Sequence, residues 1–202
     1  MFKGEKKDCI EDLVNLILEA RILKYIPRAS YNYLKGPIKE NVAEHSFYTI
    51  IFAWILAKKE KVDIDKVIKM AIIHDLIEAR SGEHNLINRY YSSPSNDLKI
   101  IEEIAEDHNI QDFNFKDLFK EYFKGETKEA KVTKDADILA EMLTEKECFE
   151  LGNKKAEKWL EFTLERFKTD TAKKLGQKLK EIDTDKWWVE LNKKYAPKTK
   201  FL

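Results

Sequence analysis

Apolar residues recur at three- and four-residue intervals along most of the chain, which is the pattern of amphipathic α-helices. The first such run covers Leu13 to Leu23, and Pro27 ends it because a proline disfavours helical backbone angles in the residue before it. The same pattern predicts helices over residues 41–57, 67–79, 97–108, 115–124 and 128–151, with a largely helical remainder from 154 to about 195. No alternating strand pattern, internal repeat or low-complexity tract is visible, so the sequence predicts an all-α protein, a compact helical bundle.

Two helix boundaries carry specific residues. Asn41 lies three residues before Glu44, the spacing of a capping box, in which each side chain accepts a hydrogen bond from the other residue's backbone. Ser81-Gly82 follows the predicted helix over 67–79 and is a helix stop signal. These signals predict the start of one central helix and the end of the next.

Two segments without a helical pattern are predicted to be loops. The first runs from Arg28 to Glu40 and contains the turn signal Gly36-Pro37. The second, residues 82–96, is polar and aromatic and is longer than most connections in a compact domain. Loops of this length are often lids or binding loops. This segment carries one arginine and two adjacent tyrosines, Arg89, Tyr90 and Tyr91.

Composition and charge limit the function classes. The 202 residues fit a single domain over 1–202, and a hydrophobic content of 43% is enough to fill its core. Lys plus Arg and Asp plus Glu both number 37, so no overall basic field favours a nucleic acid polymer or a membrane surface. The apolar run from Ile50 to Ala57 is far shorter than the roughly 20 residues that span a bilayer. Cys9 and Cys148 are isolated, which is typical of reduced thiols in a cytoplasmic protein.

His74-Asp75 is a polar pair inside the almost wholly apolar run from Val67 to Ile77. A helix that is apolar nearly all round is buried. Burying an ionised carboxylate beside an imidazole is costly unless a partner compensates, and a divalent metal ion is the strongest partner available. The pair therefore predicts a metal ion at this position.

His45 and Asp137 are also ionisable residues among apolar helical neighbours. Together with the pair they supply two imidazoles and two carboxylates, a donor set that suits Mn²⁺, Fe²⁺, Co²⁺, Ni²⁺ or Zn²⁺. Each residue taken singly has an ordinary alternative. His45 could be a hydrogen-bonded core residue, Asp137 could pair with Lys134, and Asp135 could be the functional carboxylate instead.

The ordered set His45, His74-Asp75 and Asp137 resembles the H…HD…D pattern of the HD-domain superfamily of metal-dependent phosphohydrolases, an all-α family. The segments that extend the resemblance are LKYIPR at 23–28, ENVAEHS at 40–46, HDLIE at 74–78, SGE at 81–83 and KDAD at 134–137. They look like the bacterial 5′-deoxynucleotidases and the HD-domain-containing protein 2 group. The resemblance covers about residues 13–151 and leaves 152–202 as a helical C-terminal extension.

The resemblance implies roles for single residues. The expected ligands of one divalent metal ion (Co²⁺, Mn²⁺, Fe²⁺, Ni²⁺, Zn²⁺ or Mg²⁺) are His45, His74, Asp75 and Asp137, with Asp75 also counted as catalytic. Glu78 is expected to orient or deprotonate the attacking water, because on a helix it lies one turn after His74. The expected substrate contacts are Arg28, Glu83, Lys134 and Arg89. The second predicted loop, with Arg89, Tyr90 and Tyr91, is expected to close over the substrate and stack on its base.

The implied reaction is removal of the 5′-phosphate of (deoxy)nucleoside monophosphates by metal-activated water, in a cytoplasmic homodimer. Glu83 stands where the family has an aspartate, and Ala29 stands where the bacterial enzymes have an aromatic residue. The alternatives are another HD nucleotide hydrolase (a pyrophosphohydrolase, a triphosphohydrolase or a cyclic phosphodiesterase) and a non-catalytic, metal-stapled module that senses a ligand. The aromatic residues predicted to complete the core or form a dimer face are Trp159, Phe162, Phe167, Trp187 and Trp188.

Overall fold

The structure, a computed structural model, describes residues 9–34, 39–91 and 95–196, and α-helices occupy most of them. Strand pairing among these residues is limited to one isolated bridge between Pro27 and Asn41. The prediction of an all-α bundle is confirmed. No helix in the described ranges is long and apolar enough to cross a membrane. The helices are α1 (Cys9–Ala20), α2 (Val42–Glu60), α3 (Ile64–Ile73), α4 (Glu78–Ser81), α5 (Leu86–Tyr91), α6 (Ser95–Asp107), α7 (Phe115–Lys124), α8 (Lys128–Glu150), α9 (Lys155–Arg166), α10 (Asp170–Glu181) and α11 (Lys186–Tyr195), with 3₁₀ helices at Arg21–Tyr25, Ala29–Asn32 and Gln111–Phe113.

The core is organised around the contact between α2 and α8, and α3, α7, α9 and α10 also pack on α8. Ala53 and Ala57 of α2 and Ala136 of α8 are fully buried in this core. Their small side chains let neighbouring helices approach closely, and Leu139 and Met142 fill the space between them. α2, α3 and α8 therefore meet deep inside the bundle.

The predicted capping box at the start of α2 is confirmed. The Glu44 amide donates to the Asn41 side chain at 3.0 Å, and the Asn41 amide donates to the Glu44 carboxylate at 3.0 Å. The Val42 amide donates to the Ile26 carbonyl, which ties the same point to the chain that follows α1. The beginning of α2 is thus fixed from two sides, directly before His45.

The helix predicted over 67–79 is wrong as a single element. α3 begins earlier, at Ile64, and ends at Ile73, and the chain turns before α4 begins at Glu78. In the turn, the amides of Leu76 and Glu78 donate to carbonyls three residues earlier rather than four. The His74 ring also uses the Ala71 carbonyl as a hydrogen-bond acceptor at 2.8 Å, in competition with the backbone. This tertiary arrangement overrides a sequence that has helix-compatible residues throughout.

The two predicted loops contain helices. The segment 28–40 includes the 3₁₀ helix Ala29–Asn32, while its turn signal Gly36-Pro37 lies outside the described residues. The segment 82–96 includes α5, a short helix with no buried residue, and α6 begins at Ser95. Short helices of this kind lack a long apolar repeat, so the sequence pattern does not reveal them.

The C-terminal helices share the central core. Leu160 of α9, Phe167 directly after α9, and Ala172 of α10 belong to the same buried cluster as the α2 and α8 residues. The Asp135 carboxylate of α8 accepts hydrogen bonds from the Lys168 and Thr169 amides at 2.8 and 2.7 Å, directly before α10. The residues after Leu151 are thus integrated with the bundle through α10, whereas α11 has no buried residue.

Replacement of Gly176 by alanine should lower the free energy of unfolding by about 1–3 kcal/mol through overpacking. An alanine Cβ would lie 2.5 Å from Cε2 of buried Phe167 and 3.2 Å from Cδ2 of Leu164. The clash should outweigh the roughly 1 kcal/mol that alanine gains over glycine inside a helix. Urea unfolding followed by circular dichroism measures the difference.

Lys174→Ala, on the exposed side of the same helix, is the control and should leave stability nearly unchanged. A Gly176→Ala protein as stable as the wild type would contradict close packing of α10 on this core. Because the C-terminal helices share the core, both variants should unfold in one cooperative transition.

Candidate metal centre and adjoining cavity

Four ionisable side chains meet at the junction of α2, α3 and α8. His45 lies in the first turns of α2, His74 caps α3, Asp75 lies in the turn after it, and Asp137 lies on α8. His45 Nε2 is 2.9 Å from Asp137 Oδ1 and 3.8 Å from Asp75 Oδ2. His74 Nε2 is 3.2 Å from Asp75 Oδ2 and 4.0 Å from Asp137 Oδ1. One donor atom from each of His45, His74 and Asp75 falls within a single 4.8 Å cluster.

The unpaired atoms of this cluster fit a divalent cation. His74 Nδ1 lies 2.8 Å from the Ala71 carbonyl, which only accepts hydrogen bonds, so Nδ1 carries a proton and Nε2 offers its lone pair to the cluster. His74 Nε2 and Asp75 Oδ2 are both buried and form no hydrogen bond among the described residues. Two electron-rich atoms this close are stabilised by a positive ion between them, and a mixed imidazole and carboxylate set suits first-row divalent metals.

The charges of the cluster reinforce one another. Burial alone would raise the pKa of Asp75, but His74, Arg28 and His45 hold that pKa well below its usual range. Burial likewise opposes ionisation of Asp137, whose pKa is held low by His45 and His74. Burial would lower the pKa of His74, yet the two carboxylates raise it. The carboxylates are therefore ionised, and they attract a positive charge to the imidazole nitrogens, whether that of a proton or of a metal ion.

Two supporting residues were missed by sequence reasoning. A Glu40 carboxylate oxygen lies 4.0 Å from His45 Nδ1, and the Tyr122 hydroxyl donates to Asp137 Oδ2 at 3.1 Å. The Tyr122 hydrogen bond is of the kind that orients a metal ligand, whereas the Glu40 contact is too long for a hydrogen bond and acts through charge. Glu40 opens the ENVAEHS segment, so its place in that motif was an available signal. Tyr122 comes from α7, and nothing in its local sequence indicates the contact.

Glu78 is buried near the cluster. The helical geometry from which its place was predicted is wrong, because Glu78 begins α4, after the turn that follows α3. Its Oε1 accepts a hydrogen bond from Arg89 Nη2 at 3.3 Å, and its Oε2 has no hydrogen-bond partner among the described residues. Burial and repulsion by Asp75 raise the pKa of Glu78 to about 10, so the metal-free form is neutral at pH 7. Glu78 is therefore a buried neutral acid, and additional positive charge nearby would lower its pKa.

Arg28 and Glu83 lie next to each other beside Asp75. Arg28 Nη1 lies 3.5 Å from Asp75 Oδ2 and 3.4 Å from Glu83 Oε1, and Arg28 Nε has no hydrogen-bond partner among the residues described. Burial would lower the pKa of Arg28, but Asp75 is the main group that raises it, so the guanidinium is charged. The second Glu83 oxygen accepts a hydrogen bond from the Ala29 amide. The Glu83 carboxylate thus holds the segment that carries Arg28 in place.

The remaining candidates lie in different surroundings. Lys134 donates to the Phe123 carbonyl at 3.0 Å and is not among the residues that line the adjoining cavity. Asp135, the alternative to Asp137, binds the backbone before α10 and thus has a structural role. His108 contacts Glu19 at 2.6 Å, whereas His84 lines the cavity and accepts a hydrogen bond from Arg89 through its carbonyl.

A cavity of about 680 Å³ opens onto the cluster. Arg28, Glu83 and Arg89 line it near His74, Asp75 and Asp137, so these predicted substrate contacts share one space with predicted metal ligands. Tyr90 and Tyr91 are more than three-quarters exposed and do not line it within the described structure. The cavity also continues between α8 and α9, a region to which the sequence assigned no ligand.

Comparison with known proteins identifies the same architecture. The HD-domain family profile matches residues 20–182, past the Leu151 at which the motif resemblance ends. A protein of Dictyostelium discoideum named 5′-deoxynucleotidase HDDC2 is 28% identical, and the alignment covers 78% of this chain and 90% of that protein. A conserved hypothetical protein of Pyrococcus furiosus has a similar structure, with a TM-score of 0.69, 27% identity and coverage of 84% of this chain and 99% of that one. A Magnetospirillum magnetotacticum protein described as a predicted metal-dependent phosphohydrolase shares the fold, with a TM-score of 0.62, 20% identity and coverage of 88% of this chain and 94% of that one.

Metal binding should be measurable without any substrate. Saturating Mn²⁺ or Co²⁺, at about 100 times its dissociation constant, should stabilise the tag-free protein by about 2.7 kcal/mol if the ion binds only the folded state. His74→Ala should remove most of this stabilisation because the ion loses a ligand. Thermal unfolding with and without the ion measures the difference for each protein.

The matched control is His108→Ala, which also removes a buried histidine but one bonded to Glu19. It should lower stability in the absence of metal and yet keep the full metal-induced increase. An equal increase in the His74→Ala protein would show that the ion binds elsewhere.

Proposed function

The chain belongs to the HD-domain family, and from that premise we propose that it is a metal-dependent phosphohydrolase that removes the 5′-phosphate of nucleoside monophosphates, with a preference for deoxynucleotides. The observation that carries the proposal is the buried Glu78 carboxyl group, which has an unpaired oxygen and lies close enough to Asp75 for their charges to repel. A purely structural metal site has no need of such a group. The name of the Dictyostelium relative favours the same substrate class.

In this proposal His45, His74, Asp75 and Asp137 hold one divalent ion. The ion supplies Lewis-acid chemistry, which stabilises charge on phosphoryl oxygens and lowers the pKa of an attacking water. Tyr122 orients Asp137 through the hydrogen bond described above, and Glu40 adds negative charge near His45. These side chains keep the donor atoms in place, so little reorganisation is needed during the reaction.

Glu78 accepts the proton of the attacking water through its unpaired oxygen. With a pKa of about 10 in the metal-free site it is neutral, so it becomes a base only when positive charge enters the cluster. The water oxygen bonds to phosphorus while the bond from phosphorus to the 5′-oxygen breaks, and that oxygen takes up a proton. The products are a nucleoside and inorganic phosphate.

Arg28 is the proposed phosphate-binding residue. Its guanidinium is charged, buried and adjacent to Asp75, and its fork of donors matches phosphate oxygens. Arg89 and Lys134 are proposed to add positive charge, Arg89 from the cavity wall and Lys134 by leaving the Phe123 carbonyl. Because phosphoryl transfer depends mainly on positioning and electrostatics, these contacts stabilise charge on the transferred group.

Glu83 is the proposed sugar contact. One of its oxygens binds the Ala29 amide and the other faces Arg28, which places the carboxylate at the edge of the phosphate site. The side chain of Ala29 itself offers no bulk against a ribose 2′-hydroxyl. The proposed preference for deoxynucleotides therefore rests on the name of the Dictyostelium relative.

Glu78→Gln should lower kcat for phosphate release by about 10²- to 10⁴-fold and change KM little, because glutamine keeps the shape of the residue but accepts no proton. The assay uses Mn²⁺ or Co²⁺ and measures phosphate from deoxy and ribo monophosphates, a nucleoside triphosphate and a cyclic nucleotide. The exposed Glu103 of α6, replaced by glutamine, is the control.

Wild-type rates in the Glu78→Gln protein would exclude Glu78 as the base. Activity confined to the triphosphate or to the cyclic nucleotide would favour another HD hydrolase. Metal-induced stabilisation without hydrolysis of any of these compounds would favour the non-catalytic, ligand-sensing alternative.

We also propose that the protein is a homodimer that pairs through α2. Large apolar side chains on this helix remain exposed at helical spacing, and Phe47 and Trp54 are each 58% exposed. Contiguous apolar surface of this kind marks interaction sites.

The free Cys148 thiol is buried, and we propose the cytoplasmic location that a reduced thiol favours.

Trp54→Glu should convert the dimer to a monomer, because a charge at the centre of an apolar interface is costly to bury. Size-exclusion chromatography with light scattering measures the mass. Trp187→Glu is the control, since Trp187 is equally exposed but lies on α11. Dissociation by Trp187→Glu alone would instead place the interface on the C-terminal helices.

A further inference from the structure

The cavity continues along α8 well beyond the metal ligands. Asp137, Glu141 and Glu145 line it at four-residue intervals and therefore occupy one face of the helix. Eight residues of α-helix at 1.5 Å each separate the first from the last by about 12 Å. This length is comparable with the distance from the phosphate to the far edge of the base in a nucleotide. The far end of the cavity is thus within reach of a base whose phosphate lies at Arg28.

Glu145 is a buried carboxyl group with an unpaired oxygen at that far end. It is 1% exposed, its Oε1 accepts a hydrogen bond from the Thr163 hydroxyl at 3.0 Å, and its Oε2 has no hydrogen-bond partner among the described residues. Its neighbour Glu141 is paired with Arg166 at 2.6 Å, so Glu145 has the unmatched carboxyl of the two. A buried polar group without a partner is expensive for the fold and is often explained by a ligand.

α9 forms the adjacent wall, which carries two aromatic rings and contacts α8 through Thr163 and Arg166. Trp159, Phe162, Thr163 and Arg166 line the cavity from α9, at spacings that place them on one face of that helix. Trp159 is half-buried, whereas Phe162 is 57% exposed although it is a large apolar side chain. A flat aromatic ligand would bury this surface by stacking, as nucleobases do on protein aromatic rings.

We propose that the space between α8 and α9 is the nucleobase site, in which Phe162 and Trp159 stack on the base and Glu145 hydrogen-bonds to its Watson–Crick edge. The proposal rests on the proposed function, because it places the substrate phosphate at Arg28. It assigns the base to a region about 12 Å along α8 from Asp137.

The hydrogen-bonding pattern of Glu145 suits several bases. Burial, together with the charge of Glu141, raises the pKa of Glu145 to about 8, so the group is mainly a neutral acid at pH 7. A neutral carboxylic acid presents one donor beside one acceptor. The Watson–Crick edges of adenine, cytosine, guanine and thymine each contain an adjacent donor and acceptor. We therefore expect a site that requires a base and tolerates all four.

The test compares nucleotides with 2-deoxyribose 5-phosphate, which has the sugar and phosphate but no base. Glu145→Leu and Phe162→Ala should each raise KM for dAMP and dTMP about tenfold and leave KM for the base-free compound within twofold. Glu145→Gln should restore most of the affinity, because an amide also offers a donor beside an acceptor. Phe113→Ala, an exposed phenylalanine outside the cavity, is the control and should change neither value.

A structural role for Glu145 would change kinetics for all three compounds by the same factor, and this result would overturn the proposal. An unchanged KM for dAMP and dTMP in the Phe162→Ala protein would also overturn it. Because Phe162 is exposed, that variant keeps the fold and remains informative if Glu145→Leu unfolds.

A second measurement separates this proposal from the proposed function. Deoxyadenosine has the base and lacks the phosphate, so its binding, measured by calorimetry, does not depend on hydrolysis. Binding to the wild type that Phe162→Ala weakens about tenfold supports the base site even if no nucleotide is hydrolysed. Hydrolysis of dAMP together with equal deoxyadenosine binding by both proteins would refute the base site and leave the hydrolase proposal intact.

Discussion

The attraction between buried imidazoles and buried carboxylates is the interaction on which the site depends. His45, His74, Asp75 and Asp137 come from different elements, and each would be costly to bury alone. Their mutual proximity offsets part of that cost, and a divalent ion would offset more. The close packing of α2 and α8 through alanines brings these groups together, so the apolar core and the polar cluster depend on one another.

The break after α3 gives this cluster its shape. A continuous helix would hold Asp75 and Glu78 at fixed angles from His74, whereas the turn lets all three face the interior. Burial raises the pKa of both carboxyl groups, but the cationic neighbours of Asp75 hold its pKa low, whereas the charge of Asp75 raises the pKa of Glu78 further. Asp75 is therefore ionised and Glu78 neutral, although the two residues are only three positions apart. The turn is consequently as important to the proposed chemistry as the residues it carries.

The sequence predicted what local patterns and short motifs can encode. Helical periodicity located the long helices, and the spacing of Asn41 and Glu44 predicted a cap that the structure contains. It did not predict the end of α3 at Ile73, where the His74 ring bonds to the Ala71 carbonyl in competition with the backbone. It also did not predict the helix α5, which is too short to show a period. Contacts such as Tyr122 with Asp137, and the cavity between α8 and α9, join residues whose proximity only the folded chain creates.

α8 carries two carboxylates, two residues apart, that point to different parts of the protein. Asp135 binds the backbone before α10, while Asp137 faces the two histidines. One short stretch of helix therefore serves both as an anchor for the C-terminal helices and as a wall of the candidate metal centre. A rotation or shift of α8 that enlarged the cavity would also disturb the hydrogen bonds of Asp135 to the backbone before α10. Changes of cavity shape in this scaffold are better sought on α5, which lines the cavity and has no buried residue.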